Sequence, residues 1–332
     1  MRIITILFIT FAIAGCNWFK SPIDDKFDTY LTRIANVQDS QAFQFEPNIN
    51  IIVPDKRQLA IAIPTTTIGL LDSYELRKCD LFNLIAERNS VLGKVQDQFR
   101  NFDYQIQVIE GIEKCLAHPS ISVGLKEQLS ELLSIKREQI GAHFTNLVFT
   151  SEAMRAQLIG YEWLEENRTT PSPQLVQALE HINAAYHDAD NKVSAKSLNL
   201  VTPFQEVIEK ERFLGVMSFS MLNASHKLRT VTKQLETFDT QIVCGQSRDT
   251  TKFRYLKNVF QNYYIDGLQP YLAKLDSSFM QLEPTLGFLA PNGSGYHYSI
   301  HQYHSDFRQA ILQHVDYWKS LFKRCGANPA RD

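Results

Sequence analysis

Glycine and proline are scarce in this chain, with 14 and 12 residues among 332. Their scarcity excludes collagen-like and other low-complexity architectures, which need these residues in abundance. An excess of basic residues is also lacking, because 34 lysines and arginines face 36 aspartates and glutamates. Since binding to nucleic acid needs a basic surface, we expect no nucleic-acid partner. The length and composition instead suit a folded chain with a substantial core.

Common catalytic motifs are missing as well. The sequence contains no Gly-x-Ser-x-Gly elbow, no Walker loop, no His-Glu-x-x-His and no Glu-x-x-His pairs. These absences remove the usual serine hydrolase, nucleotide-binding, zincin and di-iron bundle interpretations. No cofactor is therefore predicted. An enzyme is left as an alternative only if its site follows an unfamiliar pattern.

A short apolar run stands at the N-terminus. Arg2 precedes twelve apolar or small residues, 3–14, and Gly15 and Cys16 follow them. A basic start, an apolar run too short to span a bilayer and small residues before the cleavage point are typical of a cleavable export signal. An ordinary secretory signal and an uncleaved anchor helix are the alternatives.

The residues Ile13-Ala14-Gly15-Cys16 resemble the lipobox of bacterial lipoproteins. The resemblance implies that residues 1–15 are removed and that Cys16 carries fatty acyl chains such as palmitate. Several chains on one residue exceed what stable anchoring requires, so a membrane is the first predicted partner. Residues 16–21 then form a short lipidated tether.

The residue after Cys16 indicates whether the anchor lies in the outer or the inner membrane. In the sorting pattern of such lipoproteins, Asp at this position retains the protein at the inner membrane, whereas here Asn17 occupies it. The resemblance therefore implies the inner leaflet of the outer membrane, facing the periplasm. The periplasmic side of the inner membrane is the alternative.

Four cysteines follow Cys16, namely Cys79, Cys115, Cys244 and Cys325. An even number in an exported chain indicates two disulfides rather than four thiols. Of three possible pairings we favour Cys79 with Cys115 and Cys244 with Cys325, because each then ties a local segment. Chain-entropy arguments give each about 4 kcal/mol of stabilisation. A zinc site is disfavoured because no Cys-x-x-Cys pair is present.

The apolar periodicity predicts a mostly α, bundle-like body with one small β-hairpin. Ser21 and Pro22 predict a helix start, and Thr202 opens a capping box that predicts one long helix through Phe238. Alternating residues at 48–53 and 59–63, with a turn at 54–57, predict the hairpin. A kink or break is expected at Gly267 and Pro270.

The predicted helical domain covers residues 22–326, with a possible subdivision near 167–173, where Thr and Pro cluster. One continuous helical body is favoured over two domains. Residues 327–332 are predicted to be a disordered tail.

Three histidines form the sharpest cluster of candidate ligands. On one continuous helix, His297, His301 and His304 would share a face, as a metal site requires. However, Ser299 and Gln302 form their own capping box, which would leave His297 in a loop. His304 also continues the apolar stripe to Phe307, which favours a packing role.

Acidic clusters offer weaker candidates. Glu162, Glu165 and Glu166 are spaced to share a helical face and to act as an acid and a base, although a solvated helix end is the simpler interpretation. His187 with Asp188 and Asp190 lacks a nucleophile at a recognisable spacing, so a polar helix end is favoured. Frequent aromatic residues indicate a core, with a cavity between helices as the alternative.

The tether, hairpin, helical body and four further cysteines together resemble an uncharacterised family of proteobacterial lipoproteins. The resemblance implies location and architecture only. Two functions remain open. The favoured one is a non-catalytic envelope module that binds another envelope protein. The alternative is a small-molecule or metal binder, or an enzyme with an unrecognised site.

Overall fold

The computed structural model describes residues 21–65, 74–91, 93–190, 200–245, 248–289 and 295–327. The mostly α prediction is confirmed. The α-helices of these ranges are α1 (Pro22–Val37), α2 (Lys56–Leu59), α3 (Leu81–Asn89), α4 (Gln98–Ala117), α5 (Val123–Thr150), α6 (Glu152–Leu158), α7 (Pro173–Asp190), α8 (Gln205–Lys210), α9 (Phe213–Thr237), α10 (Thr251–Val259), α11 (Gln269–Leu282) and α12 (Ile300–Arg324). A π-helix, Phe260–Leu268, joins α10 to α11.

The predicted β-hairpin is wrong, and no strand occurs in the part of the chain that the structure describes. Ile51 forms a single antiparallel bridge with Gly160, with N–O distances of 2.8 and 3.0 Å. The predicted turn instead begins α2, where the Asp55 carboxylate accepts a hydrogen bond from the Arg57 N–H at 2.8 Å.

Side chains of two helices make the main-chain hydrogen bonds that a second strand would have made. Asn146 in α5 accepts from the Ile61 N–H at 2.8 Å and donates to the Ile61 carbonyl at 2.9 Å. Arg155 in α6 donates to the carbonyls of Val53 at 3.2 Å and Pro54 at 2.7 Å. Because these groups satisfy the main chain, the segment stays extended without pairing with itself.

Helix starts follow the predicted capping in one case and not in the other. The Ser21 hydroxyl accepts from the Ile23 N–H at 3.3 Å, and Pro22 occupies the first turn, which confirms the start of α1. At Thr202 a 3-10 turn without a side-chain cap precedes α8. The long helix predicted from there is wrong, because α8 ends at Lys210 and α9 begins at Phe213.

The chain divides into two compact units. The first unit takes its described residues from the ranges 1–48, 223–273 and 306–332, and the second from 49–222 and 274–305. The subdivision predicted near 167–173 lies inside the second unit. The predicted tail, 327–332, falls outside the described residues except for Ala327.

The first unit contains the π-helix where a kink or break is predicted. The ring of Pro270 would clash with the carbonyl four residues earlier in an α-helix. The wider π turn avoids this clash, and the Gln269 N–H bonds to the Tyr264 carbonyl five residues back. The Gly267 carbonyl accepts instead from the Lys26 ammonium of α1 at 3.3 Å. The helical path therefore continues without a break.

The second unit is centred on α4 and α5, which pack along each other. Phe102 and Phe144 meet edge to face in their interface, with ring centroids 5.4 Å apart. The Cys79–Cys115 disulfide fixes the residues before α3 to the end of α4. Helices α6 and α8 pack together on the same unit and carry the candidate site.

Candidate functional site

Two adjoining pockets open on the second unit beside α6 and the start of α9. The Arg155 pocket encloses about 530 Å³ and the Trp163 pocket about 570 Å³. They share the lining residues Glu162, Arg212 and Val216. We call the two together the 160s cleft, since the loop 159–172 forms one of its walls.

Two glycines allow the loop to lie directly on α9. A Cβ atom on Gly160 would stand 2.0 Å from the Gly215 carbonyl oxygen, and one on Gly215 would stand 2.1 Å from the Ile159 carbonyl oxygen. Both clashes are with main-chain atoms, which cannot rotate away. This backbone contact sets the position of Ile159 and Val216, which line the Arg155 pocket.

Gln157 of α6 fixes the junction between α8 and α9 from inside. Its side-chain N–H group donates to the carbonyls of Ile208 at 3.2 Å and Glu211 at 2.5 Å. Its side-chain oxygen accepts from the N–H groups of Phe213 at 2.6 Å and Leu214 at 2.9 Å. One buried amide thus caps the end of one helix and the start of the next. The chain can therefore turn at Glu211 and Arg212 and present Arg212 to the cleft.

The loop is tied down by further side chains of the second unit. The Leu164 N–H donates to the Ser220 hydroxyl at 2.8 Å, and the Ser172 hydroxyl donates to the Glu211 carboxylate at 2.8 Å. Trp163 is 6% exposed and packs edge to face on Phe219. The wall of the cleft is consequently held by packing and hydrogen bonds rather than by regular secondary structure.

The cleft contains charges that no side chain of opposite sign contacts. Within the described ranges, neither Arg168 nor Arg212 forms an ion pair, and both are exposed. Arg155 contacts main-chain carbonyls, which carry no net charge. Such guanidinium groups suit recognition of a carboxylate or phosphate.

The acidic cluster predicted on one helical face lies elsewhere. Glu162, Glu165 and Glu166 belong to the irregular loop 159–172, so the helical spacing assumed for them is wrong. Helix α6 ends at Leu158, where the Gly160–Gly215 contact forces the chain out of helical geometry. Glu162 and Glu165 still line the cleft, and all three are exposed.

The three histidines of the predicted cluster do not share one helical face. Helix α12 begins at Ile300, so His297 precedes it, and His301 is exposed on its first turn. His304 is buried, with its Nε2 atom 2.7 Å from an Asp276 carboxylate oxygen, and its ring stacks on Phe279 at 3.8 Å. Among the described residues, no group of three or more His, Cys, Asp or Glu side chains is arranged to hold a metal ion.

The pair His187 and Asp188 lies near the end of α7. Burial raises the pKa of the Asp188 carboxyl above its ordinary value. The neighbouring His187 opposes this rise but does not cancel it. Gly287 approaches this face of α7, since a Cβ there would stand 2.9 Å from the Asn183 side-chain oxygen and 3.6 Å from the His187 Nε2 atom. The contacts are those of a packed helix end. Asp190 is the last residue of α7 that the structure describes.

Both predicted disulfides are confirmed. Cys79 bonds to Cys115 and Cys244 bonds to Cys325, across sequence separations of 36 and 81 residues. Cys16, with the whole predicted signal and all of the tether except Ser21, lies outside the described residues.

A buried hydrogen-bonded histidine lies in the first unit. The Trp318 indole N–H donates to His314 Nε2 at 3.1 Å, and the Tyr30 hydroxyl lies 3.0 Å from the same atom. His314 Nδ1 lies 2.9 Å from the Thr232 hydroxyl, which itself donates to the Leu228 carbonyl. Nδ1 therefore carries the proton of a neutral ring. Burial lowers the pKa of His314 to about 3.

Two further pockets lie on the second unit. One encloses about 650 Å³ beside the Cys79–Cys115 disulfide, between α3 and α4. The other encloses about 460 Å³ and includes Asp103, whose carboxylate accepts from the N–H groups of Val201 and Thr202 at 2.8 and 3.0 Å. Burial raises the pKa of Asp103. That carboxylate is engaged in fixing the approach to α8.

Arg155, Tyr161 and Arg212 line the cleft and were not predicted from the sequence. A usable signal was nevertheless present in the run Phe213-Leu214-Gly215-Val216. In a chain with so little glycine, an isolated glycine inside an apolar helix indicates a close approach of backbone. The partner of that approach, Gly160, is far away in the sequence and has no local signal.

Comparisons with known proteins place the chain in a family. Within the described ranges, no helix combines the length and apolarity needed to traverse a bilayer. No curated protein and no solved structure matches the chain. A family described as "Protein of unknown function (DUF3080)" matches residues 27–329. Since this range is most of its length, the chain belongs to the DUF3080 family.

Proposed function

We propose that this protein is a cell-envelope lipoprotein, anchored through acylated Cys16, whose helical body binds another envelope protein without catalysis. The anchor would lie in the inner leaflet of the outer membrane and the body would face the periplasm. The 160s cleft is the proposed contact region, because it combines mixed charges with the exposed ring of Tyr161.

The cysteine pairing is the observation that carries the proposed location. Of five cysteines, four are consumed by the disulfides Cys79–Cys115 and Cys244–Cys325. Disulfides of this kind persist in oxidising compartments such as the periplasm. Cys16 is left as the one cysteine of the sequence without a disulfide partner in the chain, and it stands at the end of the lipobox-like run.

Metabolic labelling with a fatty-acid analogue tests the anchor. The wild type should be labelled, sediment with membranes and resist release by high salt, whereas Cys16→Ser should lose the label. The double variant Cys79→Ser/Cys115→Ser is the matched control and should keep it. Label on Cys16→Ser, or release of the wild type by salt, would disprove acylation at Cys16.

Replacement of Asn17 tests which of the two membranes holds the anchor. Asn17→Asp should move the labelled protein from the outer to the inner membrane in density-gradient fractions, while Asn17→Gln should leave it in the outer membrane. If the wild type already fractionates with the inner membrane, the alternative location is correct.

The alternative function, a metal site, is tested at the histidines of α12. Asp276 and His304 form a close pair, and His301 lies one turn away. The packing interpretation predicts that His304→Ala lowers the melting temperature and that chelators leave the wild-type melting temperature unchanged. A bound metal would stabilise the native state by mass action. A chelator-induced drop that is absent from both His301→Ala and His304→Ala would therefore establish the metal site.

A further inference from the structure

We propose that the Arg155 pocket binds the carboxyl-terminal end of a peptide. The inference rests on the proposed binding function and names the chemical group that the cleft would recognise. The lining of the Arg155 pocket combines two guanidinium groups, two carboxylates, an exposed tyrosine and three apolar residues. A terminal carboxylate next to an apolar side chain and a main-chain amide matches each of these features.

Arg155 is pre-organised and keeps donors free. Its Nη1 atom donates to the carbonyls of Pro54 at 2.7 Å and Phe149 at 3.2 Å, and Nη2 donates to the Val53 carbonyl at 3.2 Å. A guanidinium carries five N–H donors, so Nε–H and one Nη2 hydrogen remain after these three bonds. Because neutral carbonyls hold the group in place, its positive charge is not neutralised by contact with an acid.

Arg212 supplies the second cation. It follows Glu211 at the junction that Gln157 fixes, and it forms no ion pair with any described residue. One of the two acids that line the pocket is Glu152, the first residue of α6. Its Oε1 atom lies 2.7 Å from the Lys56 ammonium. Lys56 is the main cause of the lowered pKa of Glu152, and Arg155 contributes to it through its charge. Two arginines and two glutamates line the pocket, and Lys56, from outside the lining, offsets the charge of Glu152. The remaining balance of charge therefore favours an anion.

The remaining lining favours a peptide over an acidic sugar. Ala156, Ile159 and Val216 provide an apolar floor that would receive a side chain such as valine. A sugar ring would bring hydroxyl groups to that floor and leave them without hydrogen-bond partners. Tyr161, which is 61% exposed, and Glu162 offer hydrogen bonds to a main-chain amide.

The test is a titration of the full-length protein in non-ionic detergent with acetyl-Ala-Ala-Val, by calorimetry. The free acid should bind, and its C-terminal amide should bind at least about tenfold more weakly because charge-assisted hydrogen bonds are lost. Affinity for the acid should also fall with added salt. Glucuronate, an acidic sugar, should bind more weakly than the peptide acid.

Arg212→Gln should weaken binding of the peptide acid at least about tenfold, since one of two cations is removed. Arg33→Gln is the matched control, because Arg33 is also exposed but lines neither pocket of the 160s cleft. It should leave the affinity unchanged. A thermal melt of each variant checks that it is folded.

Four results would overturn the proposal: equal affinity for acid and amide, an unaffected Arg212→Gln, glucuronate binding as tightly as the peptide, or no saturation at millimolar peptide. The titration uses purified protein and is independent of the anchor. If the titration fails but the wild type is labelled at Cys16, the proposed ligand class alone is rejected. If the wild type is not labelled, the proposed location is rejected.

Discussion

Single glycines decide whether the 160s cleft can form. Gly215→Ala should lower the free energy of unfolding by about 2 kcal/mol or more, because overpacking against immobile atoms forces a backbone shift. The new Cβ would lie 2.1 Å from the Ile159 carbonyl oxygen. Urea denaturation monitored by circular dichroism measures the change.

Gly141 provides the matched control within α5. A Cβ at Gly141 meets nothing within 4 Å, so Gly141→Ala should stabilise the protein by about 0.5–1 kcal/mol through helix propensity. Equal losses for the two alanine variants would contradict the close-approach argument.

His314 should make the stability depend on acidity. Its pKa in the folded chain is lowered from 6.5 to about 3 because burial disfavours the charged ring. The folded state thus binds fewer protons than the unfolded state between these values. The contribution of neutral His314 is complete above pH 6.5 and is lost as the pH falls towards 3, by at most about 1.4 kcal/mol per pH unit.

His314→Gln should accordingly flatten the pH dependence of the urea midpoint between pH 6.5 and 4, although it lowers stability overall. His301→Gln, at an exposed position on the same helix, should retain the wild-type slope. An unchanged slope in His314→Gln would mean that other groups account for the acid sensitivity.

At the level of helices, the junction between α8 and α9 depends on one amide. Gln157→Leu would leave the Phe213 and Leu214 N–H groups and the Ile208 and Glu211 carbonyls without the partner they have now. The Phe213 N–H and the Glu211 carbonyl still bond to each other at 2.8 Å, so the Leu214 N–H and the Ile208 carbonyl are the two groups left unsatisfied. At about 1–3 kcal/mol for each group, a total loss of at least about 2 kcal/mol is expected.

Gln302 serves as the control for that substitution. It is exposed on α12, and Gln302→Leu should change the unfolding free energy by no more than about 0.5 kcal/mol. A small effect of Gln157→Leu, measured in the same denaturation experiment, would show that the junction is held by packing rather than by the amide.

Elements specified by neighbouring residues were predictable from the sequence. Ser21 and Pro22 start α1 through a hydrogen bond and a preset dihedral within one turn. The prediction of a hairpin failed because the side chains that bond to this segment, Asn146 and Arg155, are about a hundred residues away from it in the sequence. Alternating apolar residues indicate an extended chain, but not which groups satisfy its main chain.

The candidate site was predictable only in part. The acids Glu162 and Glu165 do line the cleft, but helical periodicity placed them on the wrong element. The end of α6 is determined by Gly160 and Gly215, which are distant in sequence. A contact between remote backbones leaves no local pattern, so the arginines that the cleft brings together were not identified.

For the whole molecule, each disulfide ties residues of one unit. All four cysteines should resist alkylation until reduced. Cys79→Ser/Cys115→Ser and Cys244→Ser/Cys325→Ser should each lower the unfolding free energy by about 4 kcal/mol, with the larger loss for the longer loop. Denaturant titrations of the two double variants test this order. Thiols that react without reduction would contradict the pairing.

The same two crosslinks have a mechanical consequence for a chain that is pulled at both ends. When the unfolded protein is stretched between its termini, the residues between paired cysteines cannot extend. At about 3.4 Å per residue, the separations of 36 and 81 residues hide roughly 120 and 270 Å of contour length. Reduction under load should release these two lengths as separate steps of unequal size.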